Sequence, residues 1–207
     1  MSSKQYFNEV AREWDSIRES FYSEAVREKA LRLAAVAAGG LAVDVGSGSG
    51  FITEGLVQRG VKVIAVDRSE AMLSEMRKKF ADRDEIDYRV GEAEDLPVED
   101  EVANYVFANM LLHHVESPTR VIGEMARVLK PGGRLVFTDL DEHDLKELQE
   151  QHHDRWPGFK REAIKRWLTE ADLRNVVVES TGESCCAETV CVGGVKGLSI
   201  FIASGEK

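Results

Sequence analysis

The sequence has no positive charge to spare. Its 27 lysines and arginines are outnumbered by 37 aspartates and glutamates, for a net charge of −10 over 207 residues. A surface that binds nucleic acid must neutralise phosphates, and no Lys/Arg-dense stretch or basic arm is present. DNA and RNA are therefore not expected partners. Long apolar runs are also missing; none approaches the roughly 20 residues that span a bilayer. The segment Met1-Ser2-Ser3-Lys4-Gln5 is polar and lacks the apolar core of an export signal. Cysteine is scarce, with three residues that all lie between Cys185 and Cys191. An odd, clustered set does not make a secreted disulfide framework. These absences point to a cytoplasmic protein with no membrane association.

What is present reads as one domain, residues 1–207. Residues 1–38 read as helical, because Phe7, Val10, Trp14, Ile17 and Phe21 recur at spacings that put them on one face. Gly39-Gly40 ends that region. Leu41 to Val45 is a short apolar strand, and a glycine-rich turn leads from it into a helix from about Phe51 to Arg59. Val61 to Val66 is a β-branched strand. Ser69 then caps a helix whose apolar face holds Met72, Leu73, Met76 and Phe80. Ile86 to Val90 and Ala103 to Ala108 are further strands. Ser117-Pro118 starts a helix striped with Val121, Ile122, Met125, Val128 and Leu129. Pro131-Gly132-Gly133 stops it before a strand from Leu135 to Thr138.

Strands alternating with helices of this length predict a parallel sheet with helices on both faces. The segment Asp141 to Asp172 is polar and reads as helical, with a break at Trp156-Pro157-Gly158. Val176 to Glu179 and Leu198 to Ala203 have no helix between them and are expected to pair antiparallel. The fold class is thus α/β, Rossmann-like and doubly wound. It has a mostly parallel seven-stranded sheet, an antiparallel last strand and an N-terminal helical cap. Residues 39–140 are the core of this reading. Residues 141–207 supply the covering helices and the final strand pair.

The turn after the first strand is Gly46-Ser47-Gly48-Ser49-Gly50. Glycines let a backbone turn tightly and approach a ligand closely. In open α/β sheets, ligands lie beyond the carboxyl ends of the strands. Asp67 ends the next strand, about 20 residues on, where a carboxylate accepts hydrogen bonds from ribose hydroxyls. Nicotinamide dehydrogenases share this sheet, but they need a third glycine three residues after the second for their pyrophosphate. Here Gly50 follows Gly48 by two. Asp44, just before the turn, suits a cationic ligand better than a pyrophosphate.

Val43 to Gly50 resembles the first motif of class I S-adenosylmethionine-dependent methyltransferases, and Val63 to Asp67 resembles the second. Gly91-Glu92-Ala93-Glu94-Asp95-Leu96-Pro97 is similar to the adenine-contacting loop after the third strand. Asn109 to His114 and Val128 to Gly133 match the fourth and fifth blocks. The likeness covers roughly residues 41 to 140, and the group is similar to the quinone-biosynthesis and arsenite methyltransferases. It implies S-adenosylmethionine as cofactor, held by Asp44, Gly46, Ser47, Gly48, Gly50, Asp67, Arg68, Met72, Glu92, Ala93 and Asn109. Each has a plainer reading as well: turn, helix cap, strand end, core packing or ordinary loop.

Methyl transfer is an in-line displacement that needs position more than chemistry. A phenol or hydroxyl acceptor benefits from a general base. His113 stands where phenolic O-methyltransferases carry their catalytic histidine, and a histidine merely packed near the cofactor is the alternative. His152-His153-Asp154 could bind a metal, or form a solvated helix face. Cys185, Cys186 and Cys191 could hold a soft metal or metalloid, although arsenite methyltransferases spread their cysteines along the chain. The expected acceptor is a small molecule: phenol or quinone-like, thiol or metalloid. The sequence lacks the Asn/Asp-Pro-Pro-aromatic motif of base amino-methyltransferases and the Pro-Cys nucleophile of cytosine C5 enzymes. A non-catalytic regulatory protein that binds S-adenosylmethionine is the reading from another class.

Overall fold

The computed structural model describes residues 3–146, 149, 153–185 and 197–207. Its strands are β1 (Leu41–Val45), β2 (Lys62–Asp67), β3 (Ile86–Val90), β4 (Ala103–Asn109), β5 (Leu129–Leu140), β6 (Arg174–Cys185) and β7 (Leu198–Glu206). They form one seven-stranded sheet in the order β3-β2-β1-β4-β5-β7-β6. β1 to β5 pair in parallel. β7 runs antiparallel to both β5 and β6, so β6 points the same way as the parallel strands.

Helices cover both faces because the strands alternate side chains with a period of two. Val43, Val45, Val106, Leu135 and Phe137 face one core, which also holds Val121, Ile122, Met125, Ile164 and Leu168. Those last residues belong to α6 (Pro118–Val128) and to the helix Arg161–Glu170, here α7. Ala42, Val63, Ala65, Phe107 and Val136 face the other core. It is covered by α3 (Glu24–Leu33), α4 (Phe51–Val57) and α5 (Glu70–Lys79). Ser69 caps α5 as the sequence predicts, its hydroxyl accepting from the Met72 amide at 3.1 Å.

Two helical expectations need correction. The first 38 residues do not form one striped helix. They break into α1 (Ser3–Val10), α2 (Trp14–Glu19) and α3. The stripe survives the breaks as a chain of ring contacts, Phe7 edge-on to Trp14 at 5.1 Å and Trp14 tilted against Phe21 at 6.4 Å. The polar segment after β5 is helical over Arg161–Glu170, but residues 142–145 are not. Asp141 instead forms a parallel bridge with Phe159. Gly158 makes this possible. Its φ is +72°, and a Cβ there would sit 2.4 Å from the Asp141 carbonyl oxygen. β6 also runs further than its apolar core suggests, as far as Cys185.

The sheet order reverses between β1 and β4, which opens a crevice at their carboxyl ends. No helix of the described residues is long and apolar enough to cross a membrane.

A paired substitution tests this geometry. Gly158→Ala meets both backbone collision and a left-handed φ, and should cost about 2 kcal/mol or more in urea unfolding. Gly123→Ala, in α6 with no atom beyond its own stretch of helix within 4 Å of the added Cβ, should gain about 0.5–1 kcal/mol. Equal, small effects would contradict the tight turn at Gly158.

Candidate functional site

The turn between β1 and α4 is pinned from β2. The amides of Gly46 and Ser47 both donate to the Val66 carbonyl, at 2.8 and 3.1 Å. The Gly48 amide donates to Asp67 Oδ2 at 2.8 Å, and the Ser69 amide donates to Oδ1 at 2.8 Å. Each carboxylate oxygen keeps a second lone pair for another donor. Burial raises the Asp67 pKa, against the two amides that lower it. Gly46, Gly48 and Gly50 all have positive φ. Gly50 caps α4, where a Cβ would meet Phe80 at 2.6 Å; at Gly48 a Cβ would make only ordinary contact with Trp14, at 3.6 Å.

Asp44 lies under the turn, fully buried. Its Oδ2 accepts from the Thr53 amide at 3.1 Å and the Thr53 hydroxyl at 2.7 Å. It therefore caps the first turn of α4 while lining the crevice. Burial pushes its pKa up to about 7, the Thr53 bonds work against the rise, and Asp67 adds to it.

The crevice spans about 870 Å³ of space, a figure that includes its solvent-open mouth. Asp44, Gly46, Ser47, Gly48, Asp67, Arg68, Met72, Glu92, Ala93 and Asn109 all line it, so ten of the eleven sequence candidates come together there. Gly50 is not among the lining residues; it acts through the helix it caps. The Asn109 side chain is already engaged, donating to Tyr22 Oη at 2.9 Å and accepting from Thr138 Oγ1 at 2.7 Å. Ser47 Oγ is buried and has no hydrogen-bond partner among the described residues.

The N-terminal helices close one side. Ser69 Oγ donates to Asn8 at 2.6 Å, Arg68 donates to Ser3 at 2.6 Å, and Ser49 donates to Asp15. Phe7, Trp14 and Tyr22 reach the crevice. The aromatic stripe of the sequence carries the signal for the first two. Nothing in the sequence marks Tyr22, which burial places beside Asn109 and whose pKa is raised mainly by that burial.

The two histidines after β4 have different places. His113 is buried and is not among the residues that line the crevice, whereas His114 is. His113 Nδ1 is 2.7 Å from Asp139 Oδ1. Asp139, wholly buried, also accepts from the Leu112 and Leu140 amides at 2.8 Å each. Burial alone would lower the His113 pKa; Asp139 and then Asp154 outweigh it, and the net shift is upward. Asp154, whose pKa burial raises to about 6, approaches both histidines from the segment after β5. His153 instead sits edge-on to Tyr6 at 5.5 Å. His152, Cys186 and Cys191 lie outside the described residues. Cys185 ends β6 and packs near Tyr22, at the same edge of the sheet as the glycine turn.

With this geometry in view, the comparisons are specific. A family model described as a methyltransferase domain matches residues 43–137, the span from β1 into β5. The chain is 32% identical over 147 residues to the biotin biosynthesis bifunctional protein of Cellvibrio japonicus, covering 70% of this chain and 28% of that one. It is 33% identical to a ubiquinone biosynthesis O-methyltransferase of Alkalilimnicola ehrlichii, covering 63% and 59%. It is 37% identical to an arsenite methyltransferase of Halobacterium salinarum, covering 52% and 29%. The chain thus spans between 28% and 59% of these relatives' lengths. A chain from the complex containing the Haloferax volcanii Trm112 methyltransferase activator has the same fold, with a TM-score of 0.80 at 20% identity, covering 97% of this chain and 96% of that one. Haemonchus contortus phosphoethanolamine N-methyltransferase 2, solved with S-adenosylhomocysteine, superposes with a TM-score of 0.74 at 19% identity, covering 87% and 52%. The span matched by that family model contains the whole glycine turn, Asp67, Glu92 and both histidines.

Asp44 gives this site a pH signature. The folded domain keeps the Asp44 proton up to about pH 7, while an unfolded aspartate releases it near about 3.9. The folded state then binds more protons between those values, so unligated stability falls as pH rises through the window. Between about pH 5 and pH 8, wild type should lose roughly 2–3 kcal/mol more than Asp44→Asn in urea unfolding. Equal losses would show that Asp44 is not the titrating group.

Proposed function

We propose that the chain binds S-adenosylmethionine in the crevice and transfers its methyl group to a small-molecule acceptor. The observation that carries this reading is the crevice itself, which gathers Asp67, the Gly46–Gly48 turn, Asp44 and the Glu92–Ala93 loop into one cradle. The donor and acceptor set suits the cofactor. Asp67 retains lone pairs for ribose hydroxyls. Ser47 Oγ is a buried polar atom that lacks a partner among the described residues. The Asp44 carboxylate sits beneath the turn, where a cationic ligand draws it into its ionised form. No phosphate-binding glycine spacing is present.

When bound, the cofactor supplies an activated methyl on a sulfonium. The protein's contribution is to orient and to exclude water. Trp14 and Phe7 shield the crevice from the α1–α2 side. This supports reading the N-terminal helices as a lid, since α1 is held by side-chain hydrogen bonds and has no buried residue. His114 is the histidine that faces an acceptor; His113, the sequence candidate for a base, supports it from behind. Two observations favour a small acceptor. The chain is acidic, and two relatives carry names from ubiquinone biosynthesis and arsenite methylation. A soft metalloid acceptor is the second reading, favoured by Cys185 at the carboxyl edge of the sheet. Arsenite-dependent turnover that disappears when all three cysteines become serine would select it.

Calorimetry should show micromolar binding of S-adenosylmethionine. Asp67→Ala should weaken it by about 1–3 kcal/mol, roughly 5- to 150-fold. Unchanged affinity in the variant would remove Asp67 from the cradle. Binding without turnover across phenols, quinones, thiols and arsenite would favour a regulatory protein instead.

A further inference from the structure

We propose that His113 Nε2, His114 Nδ1 and Asp154 Oδ1 form a three-ligand site for a divalent cation of the zinc class on the crevice wall. Asp154 Oδ1 lies 3.8 Å from His113 Nε2 and 3.4 Å from His114 Nδ1. Each of the three residues offers a ligand atom, and these all fall within 4.8 Å of one another. Ligands about 2.0–2.1 Å from a tetrahedral zinc lie roughly 3.3–3.4 Å apart.

The surroundings prepare these atoms for a cation. Asp139 is placed to accept from His113 Nδ1–H, and in that neutral tautomer the Nε2 lone pair is turned toward Asp154 for a cation that displaces the second proton. Asp139 is itself fixed by two backbone amides. A carboxylate behind a ligating histidine sets the ring and raises its basicity. Asp154 has a side chain only 3% exposed, and among the described residues its Oδ1 has no hydrogen-bond partner, only the two imidazoles at ion-pair distance. A buried carboxylate oxygen left in that state is costly unless a cation meets it.

The backbone holds the two halves together across about 40 residues of chain. The His113 carbonyl accepts from the Arg155 and Trp156 amides at 2.8 and 3.1 Å. Trp156 Nε1 donates to the Val115 carbonyl at 3.0 Å. Two imidazoles and one carboxylate suit zinc and its first-row neighbours rather than calcium or magnesium. Three protein ligands leave a fourth position, as in sites where a water or substrate atom binds the metal. His114 lines the crevice, so that position opens toward it. An acceptor oxygen or sulfur held there would be kept deprotonated. That consequence rests on the proposed methyl transfer; the site itself does not.

The test uses the full chain, stripped with a chelator, loaded with zinc and dialysed. Elemental analysis should find one ion per chain. The ion should persist when Cys185, Cys186 and Cys191 are all changed to serine, which removes thiolate sites. In that cysteine-free protein, cobalt should give the visible absorption of a low-coordinate nitrogen and oxygen site. Asp154→Ala and His114→Ala should each weaken binding at least 100-fold, and Asp139→Asn by about 10- to 100-fold. Circular dichroism checks that each variant folds. No retained ion in the wild type, loss of the ion with the cysteines alone, or full retention in folded Asp154→Ala would overturn the proposal. The cobalt spectrum decides the matter even if a variant fails to fold.

Discussion

The glycine turn keeps its shape because Asp67 accepts the Gly48 amide. A five-residue turn with three left-handed glycines has many conformations open to it, and its flexibility is a cost until something selects one. The selection comes from β2, the neighbouring strand. Val66 fixes the start of the turn through its carbonyl, and Asp67 fixes the middle through its carboxylate. The same carboxylate takes the Ser69 amide, and Ser69 caps α5 and reaches Asn8 in α1. One side chain thus ties the turn, the following helix and the N-terminal cover into a single unit. The crevice exists because that unit sits where the strand order reverses.

A second carboxylate organises the other wall. Asp139, at the end of β5, holds the Leu112 and Leu140 amides and the His113 ring. The His113 carbonyl in turn holds the turn that carries Asp154. Gly158 lets the chain double back closely enough for this to happen. The two walls of the crevice are therefore built by the same device, a strand-end aspartate that accepts backbone amides. They differ in what remains: free lone pairs at Asp67, and an oriented histidine at Asp139.

The sequence shows the first wall far better than the second. Strand, turn, helix and capping residue are local patterns, so β1 to β4, α5 and the crevice lining from Asp44 to Asn109 can be read directly, whereas β5 begins at Leu129, in the stripe expected to be helical, rather than at Leu135. The striped N-terminal segment misleads over its continuity, because spacing reports which residues share a face and says little about short breaks between them. The segment after β5 misleads because its polarity resembles a solvated helix. What shapes it is a long-range bridge from Asp141 to Phe159, which no local period encodes. For the same reason, Asp154 reads as a partner of its neighbours His152 and His153. The fold sends it to His113 and His114, some 40 positions earlier.

The central claim is that this crevice is a cradle for S-adenosylmethionine centred on Asp67. A crystal structure of the chain grown with S-adenosylhomocysteine tests it most directly. The account predicts the ribose hydroxyls within hydrogen-bond distance of the Asp67 carboxylate, with the amino-acid end of the ligand against the Gly46–Gly48 turn. Density for the ligand anywhere else, or a crevice that refuses it while accepting NAD, would contradict the account.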